Sequence, residues 1–289
     1  MRKVGIIGLG HMGRAVARRL HAAGHHLVLY NRTQSKADSL MQLGARLAQS
    51  PKALAAEVDV IITLLSDDSA MGSVAFGEQG FATEVEVGKI HIDMSTLSRE
   101  MIEDVEEKVR ESGGNMLHAP ILGGPLDVFT GNATICVGGA KSNFQAALPL
   151  LESISKPVHL VGELTDGTHM KMALNIMLTH LSLGIASSLA FAERTALPKP
   201  LVHEILSKVS GTVVDKLGQK ILSEEKGVSF TIKNFEKDQR YFREASLEHG
   251  LDLPTIKASH ELYEKAVAAG LGEEDFTAIY KFLLGNITF

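Results

Sequence analysis

Short apolar runs rich in β-branched residues alternate with helix-like patterns through the first half of the chain. Residues 4–7, 27–30, 58–64 and 90–94 are runs of this kind, and residues 132–137 and 157–161 add two more. Each has the length and composition of a buried strand. Between them, residues 12–23 and 34–43 repeat their apolar positions at helical spacing. Strand and helix taking turns predicts a mostly parallel sheet of about seven or eight strands with helices on both faces. After Gly162 the β-branched runs stop, and helical periodicity holds from about residue 166 to 196 with no internal proline and a single interruption at Gly184. A helix of roughly 30 residues spans about 45 Å, which suits an element joining two lobes. Beyond it, shorter helices are punctuated at Pro198, Gly211, Gly227, Pro254 and Gly270. The pattern divides the chain into an α/β region, residues 1–163, and an all-α region, residues 164–289.

The first strand runs into Gly8-Leu9-Gly10-His11-Met12-Gly13, and a helical pattern follows at once. In that setting the glycines form a dinucleotide-binding fingerprint, so the first region reads as a Rossmann doubly wound sheet. Gly8 permits the tight turn, Gly10 lets a pyrophosphate approach the backbone, and Gly13 lets helix and strand pack closely. The helix N-terminus directs its free N–H groups at the phosphates. About 20 residues further on, where NAD-binding versions carry a carboxylate for the ribose 2′-hydroxyl, stand Asn31, Arg32 and Thr33. No carboxylate repels a 2′-phosphate there, and Arg32 offers a planar donor fork, so NADPH is expected over NADH.

Composition narrows the alternatives. A chain of 289 residues accommodates two modest cores, and 45% apolar residues suffice to fill them. The net charge of −5, with lysine and arginine scattered, gives no basic stripe for nucleic acid. The N-terminal apolar run is too short for a signal-peptide core or a membrane span, so a cytoplasmic protein without a membrane partner is expected. Cys136, the single cysteine, sits in an apolar run and reads as core; it excludes an internal disulfide. The motifs contain no metal-ligand spacing, so no metal is expected.

Five motifs in order resemble the β-hydroxyacid dehydrogenases, which include 3-hydroxyisobutyrate dehydrogenase, tartronate semialdehyde reductase and glyoxylate/succinic semialdehyde reductases. They are the glycine fingerprint, Asp93-Met94-Ser95-Thr96, Gly123-Gly124 with Gly131, the stretch Gly167-Thr168-His169-Met170-Lys171-Met172-Ala173-Leu174-Asn175, and Lys237-Asp238. The likeness covers essentially the whole chain. It implies that Lys171 is the general acid in carbonyl reduction and that Asn175 orients the substrate oxygen. It also implies that Thr96 touches the nicotinamide ribose, that Leu64, Leu65 and Ser66 line the cofactor, that Lys237 lies near the nicotinamide, and that Asp238 supports these surroundings. The i, i+4 spacing of Lys171 and Asn175 independently puts both on one helix face. Desolvation, with Lys237 nearby, would ease proton loss from Lys171. A homodimer or homotetramer is the family's usual assembly.

Where that family usually has Asp-Ala-Pro-Val-Ser-Gly-Gly, this chain has His118-Ala119-Pro120-Ile121-Leu122-Gly123-Gly124. The missing serine leaves the backbone N–H groups of Leu122, Gly123 and Gly124 to hold a substrate carboxylate, and removes a hydroxyl contact worth about 1–3 kcal/mol. Leu174 stands where the family tends to have a first asparagine, and His118, with no partner identifiable in the sequence, reads as structural. The expected activity is interconversion of a small aldehyde or keto acid with its hydroxyacid. An imine reductase is a weaker alternative, because a protonated Lys171 would repel an iminium. A non-catalytic NADPH-binding scaffold is another, disfavoured by the retained Lys171, Asn175 and Lys237.

Overall fold

The computed structural model describes residues 2–222 and 227–285. The last four residues of the expected all-α region lie outside them. Among the described residues a single sheet contains β1 (Lys3–Ile7), β2 (His26–Tyr30), β3 (Arg46–Leu47), β4 (Val60–Thr63), β5 (Ile90–Asp93), β6 (Asn115–His118), β7 (Ile121–Leu122), β8 (Thr134–Gly138) and β9 (Val158–Gly162). Their order is β3-β2-β1-β4-β5-β6-β8-β7, with β9 also paired to β8. The strands from β1 to β6 are mutually parallel. β8 runs antiparallel to β6 and β7 and parallel to β9.

Helices cover both faces, which is why the central strands read as continuous apolar runs rather than as alternation. Val60 and Ile62 face one core with Val16 and Leu20, whereas Ile61 faces the other with Leu54 and Phe81. The strand order reverses around β1, whose neighbours are β2 and β4, so the loop after β1 opens at the topological switch point where α/β sheets bind ligands.

The nine strands exceed the expected seven or eight. β3 and β7 have two residues each, too few to show a period, and β6 offers only Met116 and Leu117 as apolar members. The expected helix over residues 34–43 is instead a 3₁₀ turn, Gln34–Ala37, followed by one helical turn, Asp38–Met41. Only Ala37 and Leu40 in these two turns are buried, too small an apolar face to hold a longer helix.

The chain divides into two compact units between Lys171 and Met172, inside the long helix Asp166–Arg194. The second unit contains helices Lys199–Ser210, Thr212–Leu222, Ile232–Glu248 and Pro254–Ala266. The long helix has the length and composition of a membrane span, with mean hydropathy 1.4 over its most apolar stretch. Some of its apolar residues enter cores of the second unit: Ala186 packs with Ile232, Phe235 and Tyr263, and Ile185 and Leu189 pack with Val214, while Met177 and Phe191 are exposed.

Candidate active site

The loop after β1 is built for close approach. Gly8 has φ +100°, and a Cβ there would lie 2.2 Å from the Leu64 carbonyl oxygen. At Gly13 a Cβ would lie 2.0 Å from the Gly8 carbonyl oxygen. These two glycines are demanded by the fold itself. Gly10 differs: it is exposed, and a Cβ on it would meet nothing within 4 Å. Its bare backbone therefore faces outward, where a bound group can press against it. The helix His11–Ala22 starts at Gly10 with no side-chain cap, which leaves its first N–H groups for an anion. These residues fit a dinucleotide.

Asn31 has a structural role beyond the expected cofactor contact. Its Oδ1 accepts from Leu9 N at 2.9 Å and its Nδ2 donates to the Thr33 carbonyl at 2.7 Å, so one side chain ties the glycine loop to the end of β2. Arg32 and Thr33 are exposed beside it, as is Lys36 in the following 3₁₀ turn. Lys36 is a second cation at this strand end, placed there because the segment turns as a 3₁₀ helix rather than continuing as an α-helix. At the carboxyl end of β4, Leu64 and Leu65 are half-buried and Ser66 is exposed; Ser66 Oγ donates to Asp67, which caps the helix Asp68–Phe76. Thr96 is half-buried just after β5.

Beneath these strand ends lies a buried polar network centred on Asp93. Its Oδ1 accepts from Thr63 Oγ1 at 2.7 Å, Ser95 Oγ at 2.7 Å and Ser95 N at 3.2 Å, and its Oδ2 faces His118 Nδ1 at 3.0 Å. Ser95 Oγ in turn accepts from Leu65 N at 2.9 Å. Burial works to raise the Asp93 carboxyl, but its hydrogen bonds, led by that from His118, hold it below the usual carboxylate value. The Thr63 hydroxyl hydrogen is directed at Asp93, so His91 Nε2 donates to Thr63 Oγ1 at 2.9 Å, and His91 Nδ1 is left without a hydrogen-bond partner.

Burial pushes the His91 imidazole down to about 4, with Asp93 pulling it up and His118 reinforcing the depression. An unfolded chain protonates histidine near pH 6.5, so between pH 6.5 and 4 the unfolded state binds more protons and stability falls with falling pH. The shift corresponds to a loss on the order of 3 kcal/mol. Asp93 adds stability that is present above the ordinary carboxylate pKa and lost only as the pH falls through its own, lower value. His91→Gln, which takes up no proton, is expected to flatten the decline between pH 6.5 and 4 in urea titrations. An unchanged slope would remove His91 from this account.

Lys171 stands in the second turn of the long helix, half-buried, and its Nζ donates to the Ile121 carbonyl at 2.7 Å. That carbonyl immediately precedes the expected substrate loop, and Lys171 is close enough that its charge opposes the upward push of burial on the Cys136 thiol in β8. Asn175 follows one helical turn later, also half-buried. In the loop, Leu122 belongs to β7 and Gly123 is exposed at φ +129°. Gly124 departs from expectation. Its N–H donates to Asp127 Oδ2 at 2.7 Å, where a first-turn side chain of helix Pro125–Thr130 reaches back to the residue before the helix, so this amide is already engaged. In the second unit, Lys237 pairs with Asp238 at 3.0 Å and lies over the Tyr241 ring.

A Rossmann sheet whose glycine loop fits a dinucleotide is followed in this chain by a helical unit. Residues 3–162 match the family model of the NAD binding domain of 6-phosphogluconate dehydrogenase, and residues 165–283 match that of the NAD-binding region of NADP-dependent 3-hydroxyisobutyrate dehydrogenase. Over 282 residues the chain is 32% identical to the uncharacterized oxidoreductase YfjR of Bacillus subtilis, covering 96% of this chain and 99% of that one. It is 28% identical to glyoxylate/succinic semialdehyde reductase 1 of Arabidopsis thaliana, covering 96% of each. The crystal structure of a 3-hydroxyisobutyrate dehydrogenase from Salmonella typhimurium shares the fold at a TM-score of 0.89 and 23% identity, covering 97% of this chain and 99% of that one. The chain belongs to the β-hydroxyacid dehydrogenase family.

Proposed function

We propose that this protein reduces a small aldehyde or keto acid to the corresponding hydroxyacid, with NADPH as the preferred cofactor and Lys171 as the proton donor. The observation that carries the reading is the place of Lys171: a half-buried ammonium whose Nζ is held 2.7 Å from the carbonyl of Ile121, at the mouth of the loop Leu122-Gly123. When bound, the cofactor supplies a hydride to the carbonyl carbon. Lys171 holds a proton at Nζ and releases it to the carbonyl oxygen as negative charge develops there, so carbon gains the hydride and oxygen the proton. Asn175, one turn along the same helix, donates its side-chain amide to that oxygen and fixes its direction. In the reverse direction the neutral lysine takes the hydroxyl proton.

Arg32 and Lys36 at the end of β2, with Thr33 between them, supply donors for a 2′-phosphate, and Asn31 braces the loop that presents them. The relative named glyoxylate/succinic semialdehyde reductase supports a short aldehyde acid as substrate. With the Gly124 amide committed to Asp127, Gly123 and Leu122 remain as the loop's main-chain candidates for the substrate carboxylate. The test is kcat/KM for glyoxylate and succinic semialdehyde against uncharged aldehydes of equal length. A preference of about tenfold or more for the acids is expected from one charge-assisted contact. Equal rates would overturn the carboxylate reading.

A further inference from the structure

His118 occupies a position the proposed reaction does not use, yet it is completely buried and both ring nitrogens are engaged. Nδ1 faces Asp93 Oδ2 at 3.0 Å, and Nε2 faces Thr168 Oγ1 at 2.6 Å. A carboxylate only accepts, so the hydrogen resides on Nδ1. Nε2 and the Thr168 hydroxyl share the second hydrogen bond, which either of them can donate. An Asp-His-hydroxyl array resembles that of a hydrolase, but Thr168 is buried, with only 3% of its surface exposed. The array is a strut.

What the strut holds follows from where Thr168 sits. It lies three residues before Lys171, in the first turn of the long helix. The same turn is pressed against the sheet at Gly167, where a Cβ would come within 2.9 Å of the His118 carbonyl oxygen and 3.2 Å of that of Cys136. At the far end of the strut, Asp93 is tied through Ser95 to the backbone of Leu65, at the strand end that lines the cofactor side. One carboxylate thus locks the carboxyl ends of β4, β5 and β6 to the first turn of the helix that carries the proton donor.

We propose that His118 is a positioning residue for Lys171: through Thr168 it fixes the height and rotation of the first turn of the helix, from whose next turn the lysine reaches the reacting oxygen. This rests on the reading of Lys171 as proton donor. Misplacing a catalytic group by about 1 Å is enough to cost on the order of 10²-fold in rate, so a strut of this kind governs kcat rather than binding.

The experiment compares Thr168→Val, which keeps shape and removes only the hydroxyl, with Thr168→Ser and with His118→Asn, in the full-length protein at a temperature well below each variant's melting point. Expected are kcat losses of about tenfold or more for Thr168→Val and His118→Asn, with the NADPH dissociation constant within twofold of wild type, and recovery to within about threefold in Thr168→Ser. The decisive arm is a double-mutant cycle with Lys171→Met. If the strut acts through Lys171, adding Thr168→Val to Lys171→Met costs nothing further, whereas independent effects would multiply. Folded Thr168→Val and His118→Asn proteins with wild-type kcat, or losses that multiply in the cycle, overturn the positioning role and leave Lys171 as it stands. Lys171→Met with undiminished turnover overturns the proton-donor reading itself, and the strut with it. Should His118→Asn fail to fold, the threonine pair and the cycle still decide the matter.

Discussion

Lys171→Met is expected to lower kcat for aldehyde reduction by about 10²- to 10⁴-fold, the range that a positioned general acid contributes. Methionine follows nearly the same unbranched path as the lysine stem, so packing of the helix against the loop is kept while the ammonium and its bond to the Ile121 carbonyl are lost. The NADPH dissociation constant, read by fluorescence titration, should stay within twofold of wild type, because the glycine loop and Asn31 lie on a different strand end. Lys171→Arg should also be slow despite keeping the charge. A guanidinium holds its proton too tightly to pass it on near neutral pH, and its fork does not match the single carbonyl acceptor. A kcat in either variant within threefold of wild type would remove Lys171 from the proton-transfer step.

Arg32→Asp is expected to shift cofactor preference, measured as the ratio of kcat/KM with NADPH to that with NADH, by about 10²- to 10³-fold toward NADH. The estimate combines loss of a charge-assisted contact, worth about 1.5–3 kcal/mol, with the repulsion a new carboxylate exerts on the 2′-phosphate. The same carboxylate would accept from the 2′-hydroxyl of NADH. Arg32 is exposed and carries no fold duty, so melting temperature should hardly move. Arg32→Ala should fall between the two, with Lys36 retaining part of the phosphate affinity. Were the ratio unchanged in Arg32→Asp, the discrimination would have to reside elsewhere on the β2 loop.

The glycine fingerprint was readable because its chemistry is local. Gly8 and Gly13 are forced by contacts within a few residues or with the adjacent strand end, and the helix that follows begins where the pattern says it should. The long helix, running from Asp166 to Arg194, was legible for a similar reason: no proline or glycine cluster breaks a period of 3.6. What escaped depends on contacts between distant positions. His118 reads as an isolated strand-end histidine because its partners lie 25 residues before it and 50 after. The Gly124 amide looked free because the cap that occupies it comes from a side chain, Asp127, whose direction is set only once the helix Pro125–Thr130 forms. Asn31 looked like a cofactor contact alone, and its hydrogen bond to Leu9 follows from the pairing of β1 with β2 rather than from any spacing. The two-residue strands β3 and β7 have no period to detect; they exist because longer neighbours offer them an edge.

The central claim is that NADPH and Lys171 act together on a carbonyl. Its most direct test is absorbance at 340 nm as purified protein consumes NADPH with succinic semialdehyde, followed by assay of the hydroxyacid formed, with a cyclic imine run in parallel. The account predicts one hydroxyacid formed per NADPH oxidised and no turnover of the imine. Turnover of the imine alone, or tight NADPH binding with no oxidation by any aldehyde acid, would contradict it.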